Sequence, residues 1–205
     1  MAAPLSFVHR FENGAQQGAR PFLLLHGTGG DENDLVPLGR TIAPSAPLLS
    51  PRGKVLENGM PRFFRRLAEG VFDEEDVRRR ADELADFVEA ACANYGIAAP
   101  IALGYSNGAN IAAAVLLLRP ETLAGAILLR ATAPLAQPPP ADLTGKPILI
   151  VSGARDPMIS SQGAARLAAV LQQDGAAVEH LTLPSGHELS QADIAAARSW
   201  LDAHP

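Results

Sequence analysis

The sequence has a single cysteine, no long apolar run and no leader-like N-terminus. Cys92 alone cannot form an internal disulfide, which is typical of proteins from a reducing compartment. No apolar stretch reaches the roughly 18 residues that a membrane-spanning helix needs. The first residues lack the basic region and apolar core of a secretory signal. We therefore expect a cytoplasmic protein without a membrane span.

Positive charge is also sparse. The net charge is −5 at pH 7 and the pI is about 5.5. The run of three arginines at 78–80 follows three acidic residues at 74–76 with a spacing of four, which is typical of a solvated helix face. Because nucleic-acid binding requires clustered basic residues on one face, we expect no nucleic-acid partner and favour a small-molecule substrate.

What the sequence does contain is an alternation of strand-like and helix-like segments. With 205 residues, of which 47% are hydrophobic, we expect one domain over 1–205. Helices are predicted after the capping residue Asp73, over 160–173 and over 191–203. Short apolar runs lie at 22–25, 46–49, 101–103, 126–129, 148–151 and 178–183. This order predicts an α/β fold with a mostly parallel sheet and helices on both faces. Exposed apolar edges leave a homodimer open, but nothing in the sequence specifies one.

A G-x-S-x-G segment over 104–108 is the main chemical signal. An apolar strand-like run precedes it, and helix-forming residues follow it. The two glycines allow a sharp turn that exposes the hydroxyl of Ser106 above a sheet edge, which makes Ser106 a candidate nucleophile. Because small-residue turns are common in a chain rich in Gly and Ala, this segment needs partners elsewhere.

A serine nucleophile needs a general base, and five histidines are available. His187 follows the last predicted strand, where a loop residue can reach across the carboxyl edge of the sheet. His26 precedes Ser106, the wrong order for the common α/β arrangement, and is better interpreted as a brace for its own loop. The remaining three are predicted to be peripheral or on a strand surface: His9, His180 and His204. We therefore predict His187 as the base.

The acid that orients the base is predicted between Ser106 and His187. Asp156 follows the apolar run 148–151 and should emerge at the same sheet edge as Ser106. Its alternative role is to cap a turn or helix before Pro157. Asp142 precedes a strand and Asp174 ends a helix, and both positions indicate surface roles.

Ester chemistry also needs hydrogen-bond donors for the oxyanion. One should be the backbone N–H of Asn107, the residue after the nucleophile. The glycine-rich loop after the first central strand offers the second, with the Thr28 N–H as first choice and Gly29 as the alternative.

The same loop could instead hold phosphate or a cation. It lacks the third glycine of G-x-G-x-x-G and is not followed by G-K-[ST], and its carboxylates would repel phosphate. Adjacent acids without matching histidines are more typical of a solvated loop or helix start than of a cation site. These acids are Asp31, Glu32 and Asp34. We expect neither a cofactor nor a metal.

These motifs together resemble the α/β-hydrolase superfamily, and within it the phospholipase/carboxylesterase family. The matching segments are 25–35, Ser50-Pro51-Arg52-Gly53, Gly104-Tyr105-Ser106-Asn107-Gly108, 153–157 and Ser185-Gly186-His187-Glu188. Segments 52–53 and 58–64 resemble the corresponding segments of the small bacterial hydrolases linked to hydroquinone resistance. The resemblance implies hydrolysis of a carboxylic ester through an acyl-enzyme. A thioesterase using the same triad, and a non-catalytic ligand-binding protein, are the alternatives.

The resemblance also indicates an open substrate pocket. The interval between the strands ending near 129 and beginning near 148 is too short for the helical cap of many relatives. We expect the loop 52–72 to form one wall, with further residues beside the nucleophile and the acid. The predicted pocket residues are Met60, Phe63, Phe64, Tyr105, Met158 and Ile159, joined by Leu56. A core position is an equally good interpretation of Phe63 and Phe64. Arg130 should either meet an anionic substrate group or pair with a neighbouring acid.

Overall fold

A computed structural model describes residues 5–16 and 18–204 of the chain. Part of the N-terminal segment used for the signal prediction, residues 1–4, lies outside these ranges. The strands are β1 (His9–Glu12), β2 (Phe22–Leu25), β3 (Leu48–Pro51), β4 (Val55–Glu57), β5 (Met60–Arg62), β6 (Arg66–Ala68), β7 (Val71–Phe72), β8 (Ile101–Tyr105), β9 (Gly125–Leu129), β10 (Pro147–Gly153) and β11 (Ala177–Leu183). The helices are α1 (Val36–Ile42), α2 (Glu74–Tyr95), α3 (Asn107–Leu118), α4 (Ser161–Gln173) and α5 (Gln191–Ala203).

The described residues form a seven-stranded sheet in the order β1-β3-β2-β8-β9-β10-β11. Only the edge strand β1 pairs antiparallel within it. Leu23 and Leu25 pack into the apolar core that contains α2, α3 and α4, whereas Phe22 and Leu24 face the core that contains α1 and α5. Both faces of the sheet are therefore covered, which explains why β2 is apolar at every position. The expected mostly parallel sheet with helices on both faces is confirmed.

The helix ends follow their capping residues. The Asp73 carboxylate accepts from the N–H of Asp76 at 3.2 Å and begins α2, and Gly96 ends this helix in the left-handed region at φ 65°. Ser190 and Asp193 form a capping box at the start of α5. None of the helices in the described ranges has the length and apolarity that a bilayer crossing requires.

The segment 52–72 differs from the expected loop, because it folds into two hairpins. Strands β4 and β5 pair antiparallel across Asn58 and Gly59, which have φ values of 51° and 81°. Two positive φ angles are what a tight two-residue hairpin turn requires. Strands β6 and β7 form the second hairpin. By contrast, the described residues 130–146 contain no helix, so the expected absence of a cap is confirmed.

Candidate active site

The turn between β8 and α3 presents Ser106 at the carboxyl edge of the sheet. Ser106 has φ 51° and ψ −113°, a strained conformation for a residue with a side chain. A Cβ atom added to Gly108 would lie 1.9 Å from the carbonyl oxygen of Leu25, and one on Gly104 would lie 2.6 Å from the Cα of Ala109. Both glycines are therefore required by close backbone approach, and the turn is a nucleophile elbow.

The candidate base and acid lie beside this turn. His187 Nε2 is 3.0 Å from Ser106 Oγ, and His187 Nδ1 is 2.8 Å from Asp156 Oδ2. Ser106, Asp156 and His187 follow β8, β10 and β11 respectively. Because parallel strands end at the same edge, three residues distant in sequence meet there. The arrangement suits proton transfer from the hydroxyl to the imidazole, with the carboxylate orienting the ring.

Asp156 makes the contacts that both of the roles considered for it require. Its Oδ1 accepts from the backbone N–H groups of Met158 and Ile159, at 2.8 and 3.0 Å, while Oδ2 faces His187. Burial opposes ionisation, but these hydrogen bonds hold the pKa of Asp156 below its ordinary value. The carboxylate is therefore charged and has a fixed orientation when it meets the imidazole.

The loop that carries His187 is held by a buried arginine. Arg130 has no exposed side-chain surface, and its Nη1 and Nη2 contact the two carboxylate oxygens of Asp193 at 2.6 and 3.0 Å. Arg130 also donates to the carbonyl oxygens of Gly186 and Glu188 at 2.8 and 3.1 Å, on either side of His187. Of the two roles left open by the sequence, the structure shows the ion pair. The available signal was an arginine at the end of an apolar strand, which needs a buried partner.

The two predicted oxyanion donors flank Ser106. Asn107 is the first residue of α3, so its backbone N–H has no acceptor within the helix. Thr28 borders the same cavity as Ser106, and no acceptor for its N–H occurs among the described residues. The N–H of Gly29, the alternative donor, is engaged with the carbonyl oxygen of Pro61 at 2.9 Å. The geometry therefore favours Thr28 over Gly29.

His26 braces the loop that precedes Thr28. The backbone N–H of Gly53 donates to His26 Nε2 at 3.0 Å, so the ring proton lies on Nδ1 and is donated to the carbonyl oxygen of Gly27 at 2.7 Å. Burial lowers the pKa of His26, although the Gly27 carbonyl and nearby acids oppose this effect. A neutral ring with one donor and one acceptor fits this position.

The end of β5 contacts both sides of the oxyanion region. Arg62 Nη1 donates to Thr28 Oγ1 at 2.7 Å, and the backbone N–H of Phe63 donates to Asn107 Oδ1 at 2.7 Å. Neither contact was predicted from the sequence. The first hairpin therefore helps position the groups that would stabilise the oxyanion.

A cavity of about 190 Å³ opens beside Ser106. Met158 and Ile159, which follow Asp156, line it. Its other lining residues are Thr28, Arg62, Arg66, Glu69, Gly70, Phe72, Ser106, Asn107, Asn110, Thr132 and Ser160. Most of these side chains are polar.

The other predicted pocket residues lie elsewhere. Phe63 and Phe64, which follow β5, are buried in the core that contains α2, α3 and α4, and Phe64 packs edge-on against Phe72. Met60 is exposed and lies against the turn at Gly29. The Tyr105 hydroxyl donates to the carbonyl oxygen of His187 at 3.1 Å, and burial raises the pKa of this phenol. Tyr105 thus holds the backbone of His187 and does not line the cavity.

Two of the three acidic residues after the glycine-rich loop have local partners. Arg52 Nε and Nη2 contact the two carboxylate oxygens of Glu32 at 2.5 and 2.7 Å. Asp31 Oδ1 accepts from the backbone N–H of Asn33 at 2.8 Å. These contacts stabilise the start of the loop that leads into α1.

Comparisons with known proteins cover nearly the whole chain. A family model described as Phospholipase/Carboxylesterase matches residues 9–205. MhqD of Bacillus subtilis (strain 168) is 44% identical over 194 residues, which cover 94% of this chain and 96% of that protein. The crystal structure of the Bacillus cereus carboxylesterase has 42% identity and a TM-score of 0.94, covering 97% of this chain and 94% of that chain. The Mesorhizobium loti carboxylesterase has 35% identity and a TM-score of 0.92, with 98% and 96% covered.

Proposed function

Because this chain belongs to the phospholipase/carboxylesterase family, and is thus a hydrolase of the α/β-hydrolase fold, we propose that it hydrolyses carboxylic esters with Ser106 as the nucleophile. One observation carries the proposal. Ser106, His187 and Asp156 form a continuous hydrogen-bonded chain, with distances of 3.0 and 2.8 Å, at the mouth of a cavity. This is the geometry of an activated serine.

The proposed reaction has two steps. Ser106 Oγ bonds to the ester carbonyl carbon while its proton passes to His187 Nε2, and the oxyanion accepts from the backbone N–H groups of Thr28 and Asn107. The bond to the alcohol oxygen then breaks, and His187 returns the proton to that oxygen. Water then attacks the acyl carbon while its proton passes to His187, the bond to Ser106 Oγ breaks, and His187 gives that proton to Ser106 Oγ, which releases the acid and the free serine.

Covalent labelling tests the nucleophile. A fluorophosphonate should form one adduct on the wild-type protein, located at Ser106 by peptide mass spectrometry, and none on Ser106→Ala. The folded state of the variant is checked by its circular dichroism. A folded wild-type protein that stays unlabelled would instead favour the ligand-binding alternative. Matched ester and thioester substrates then establish which leaving group is preferred.

A further inference from the structure

The cavity beside Ser106 has a positively charged inner wall. Arg62 and Arg66 both line it, and both contact a single carboxylate, that of Glu57. Arg62 Nε lies 3.1 Å from Glu57 Oε2, and Arg66 Nη2 lies 2.8 Å from Glu57 Oε1. Two guanidinium groups that share one carboxylate leave one positive charge in excess.

This charge is poorly solvated. The Arg62 side chain is only 4% exposed, and burial lowers its pKa although Glu57 opposes the effect. A guanidinium group nevertheless stays protonated in proteins, so a buried one gains strongly from an additional anionic partner. Glu69 also borders the cavity, but its side chain is exposed at the mouth, where solvent and salt screen it.

The size and polarity of the cavity indicate a short occupant. Its volume of about 190 Å³ is below the roughly 300 Å³ at which drug-sized ligand sites begin. Asn110, Thr132 and Ser160 also line the cavity. Asn110 Oδ1 accepts from the Thr132 N–H at 2.9 Å, and Ser160 Oγ accepts from the Gly163 N–H at 3.0 Å, so these polar groups are held in place. A long hydrocarbon chain would press an apolar surface against them, which is unfavourable, whereas a small polar group can add hydrogen bonds to them.

The position of the base indicates which half of the ester enters. His187 must protonate the leaving oxygen, yet it is not among the residues that line this cavity. Thr28 and Asn107, which would hold the carbonyl oxygen, do line it. The alcohol therefore leaves on the His187 side, and the acyl group occupies the cavity.

We propose that the acyl group is short and ends in a carboxylate that Arg62 and Arg66 bind, so that the chain hydrolyses half-esters of small dicarboxylic acids. The proposal rests on ester hydrolysis at Ser106. Planar guanidinium groups suit this recognition, because they donate paired hydrogen bonds to the two oxygens of a carboxylate.

A matched pair of substrates tests the acyl preference. Monomethyl succinate carries the carboxylate, and methyl succinamate replaces it with a neutral amide of the same shape. We expect kcat/KM, measured by proton release, to be at least about tenfold higher for monomethyl succinate, the scale of a single charge-assisted contact. O-acetylglycolate and O-acetylglycolamide place the same two groups on the alcohol side, where we expect no such preference.

Variants of two arginines test which positive charge causes the preference for monomethyl succinate. Arg66→Gln should reduce the succinate preference to about twofold or less, and Arg66→Lys should restore part of it. Arg65→Gln is the matched control, since Arg65 is the neighbouring arginine, is 63% exposed and pairs with Asp73 away from the cavity. This control should keep the wild-type preference.

The outcomes separate the two proposals. Equal kcat/KM for the succinate pair, or a preference that survives in Arg66→Gln, would overturn the carboxylate site. If no half-ester is hydrolysed while a fluorophosphonate labels Ser106, the carboxylate site is overturned and ester hydrolysis stands. If Ser106 is not labelled either, both proposals fail.

Discussion

The two sides of the site are built very differently. The proposed nucleophile, acid and base follow strands β8, β10 and β11 of a sheet that is buried on both faces. The opposite side comes from two short hairpins over 55–72, whose apolar side chains Leu56 and Leu67 are both 69% exposed. The sheet edge carries the proposed chemistry, and the hairpins carry the proposed substrate contacts. A substitution at the sheet edge should therefore change the rate of hydrolysis of all esters. A substitution in the hairpins should change which esters are preferred.

The largest expected effect is on the sheet side. Asp156→Asn should lower kcat by about 10⁴-fold on any ester, because the neutral amide no longer holds the imidazole in the required tautomer. Steady-state kinetics on the succinate pair provides the measurement. Both substrates should lose rate equally, in contrast to Arg66→Gln. A loss confined to the charged substrate would contradict this division between the two sides.

A second substitution tests the support of the His187 loop. Arg130→Met removes the cation from a fully buried pair with Asp193 and should lower the free energy of unfolding by about 3–5 kcal/mol, measured by urea denaturation. It should also lower kcat, since the loop carbonyl groups around His187 lose their donor. Arg119→Met is the control, because the exposed contacts of Arg119 with Asp86 and Glu89 should contribute at most about 1 kcal/mol. Similar losses in both variants would refute the special role of Arg130.

Two glycine substitutions compare how well the backbone at the sheet edge and the backbone of the first hairpin tolerate an added methyl group. Gly108→Ala places a methyl group against the carbonyl oxygen of Leu25, so α3 must shift, and we expect a loss of about 3 kcal/mol together with most of the activity. Gly59→Ala, at φ 81° in open space, should cost only about 1 kcal/mol through its backbone conformation. Thermal unfolding of both variants measures the difference. Comparable stability losses would show that the elbow tolerates rearrangement.

A smaller effect than that of Gly108→Ala is expected at the anchor between the hairpins and α2. Asp76 Oδ2 accepts from the backbone N–H of Arg65 at 2.7 Å, and Arg79 contacts the other oxygen. Burial opposes ionisation, but the hydrogen bonds from Arg79 and the Arg65 N–H hold the pKa of Asp76 below its usual value of 3.8. Asp76→Asn should cost about 2 kcal/mol at pH 7.

This effect should depend on pH. A carboxyl whose pKa is lowered in the folded state stabilises it above the pKa of the unfolded chain, and the contribution is lost as the pH falls through the native pKa. The difference in unfolding free energy between wild type and Asp76→Asn should therefore stay constant down to about pH 4, near the pKa of an unfolded aspartate, and shrink at lower pH. A difference that stays constant between pH 7 and pH 3 would show that ionisation of Asp76 is unimportant.

Much of the sheet could be predicted because its signals are local. The run 22–25 matches β2, and 191–203 matches α5, since apolar periodicity and capping residues act over a few positions. The hairpins were missed although Asn58-Gly59 is a strong turn signal, because the flanking strands are only three residues long and lack clear alternation. The core position of Phe63 and Phe64 was undecided for a similar reason: an aromatic pair in a presumed loop looks the same whether it faces a ligand or the interior.

The sequence by itself determined the alternation of elements, the sharp turn at Ser106 and the order in which a serine, an acid and a histidine follow parallel strands. Each of these depends on neighbouring residues or on strand direction. Only the tertiary structure decided that Arg130 pairs with Asp193, 63 positions away, and that Arg62 and Arg66 share Glu57 beside Ser106. Partners of buried charges are chosen by packing between distant segments, so no local pattern encodes them.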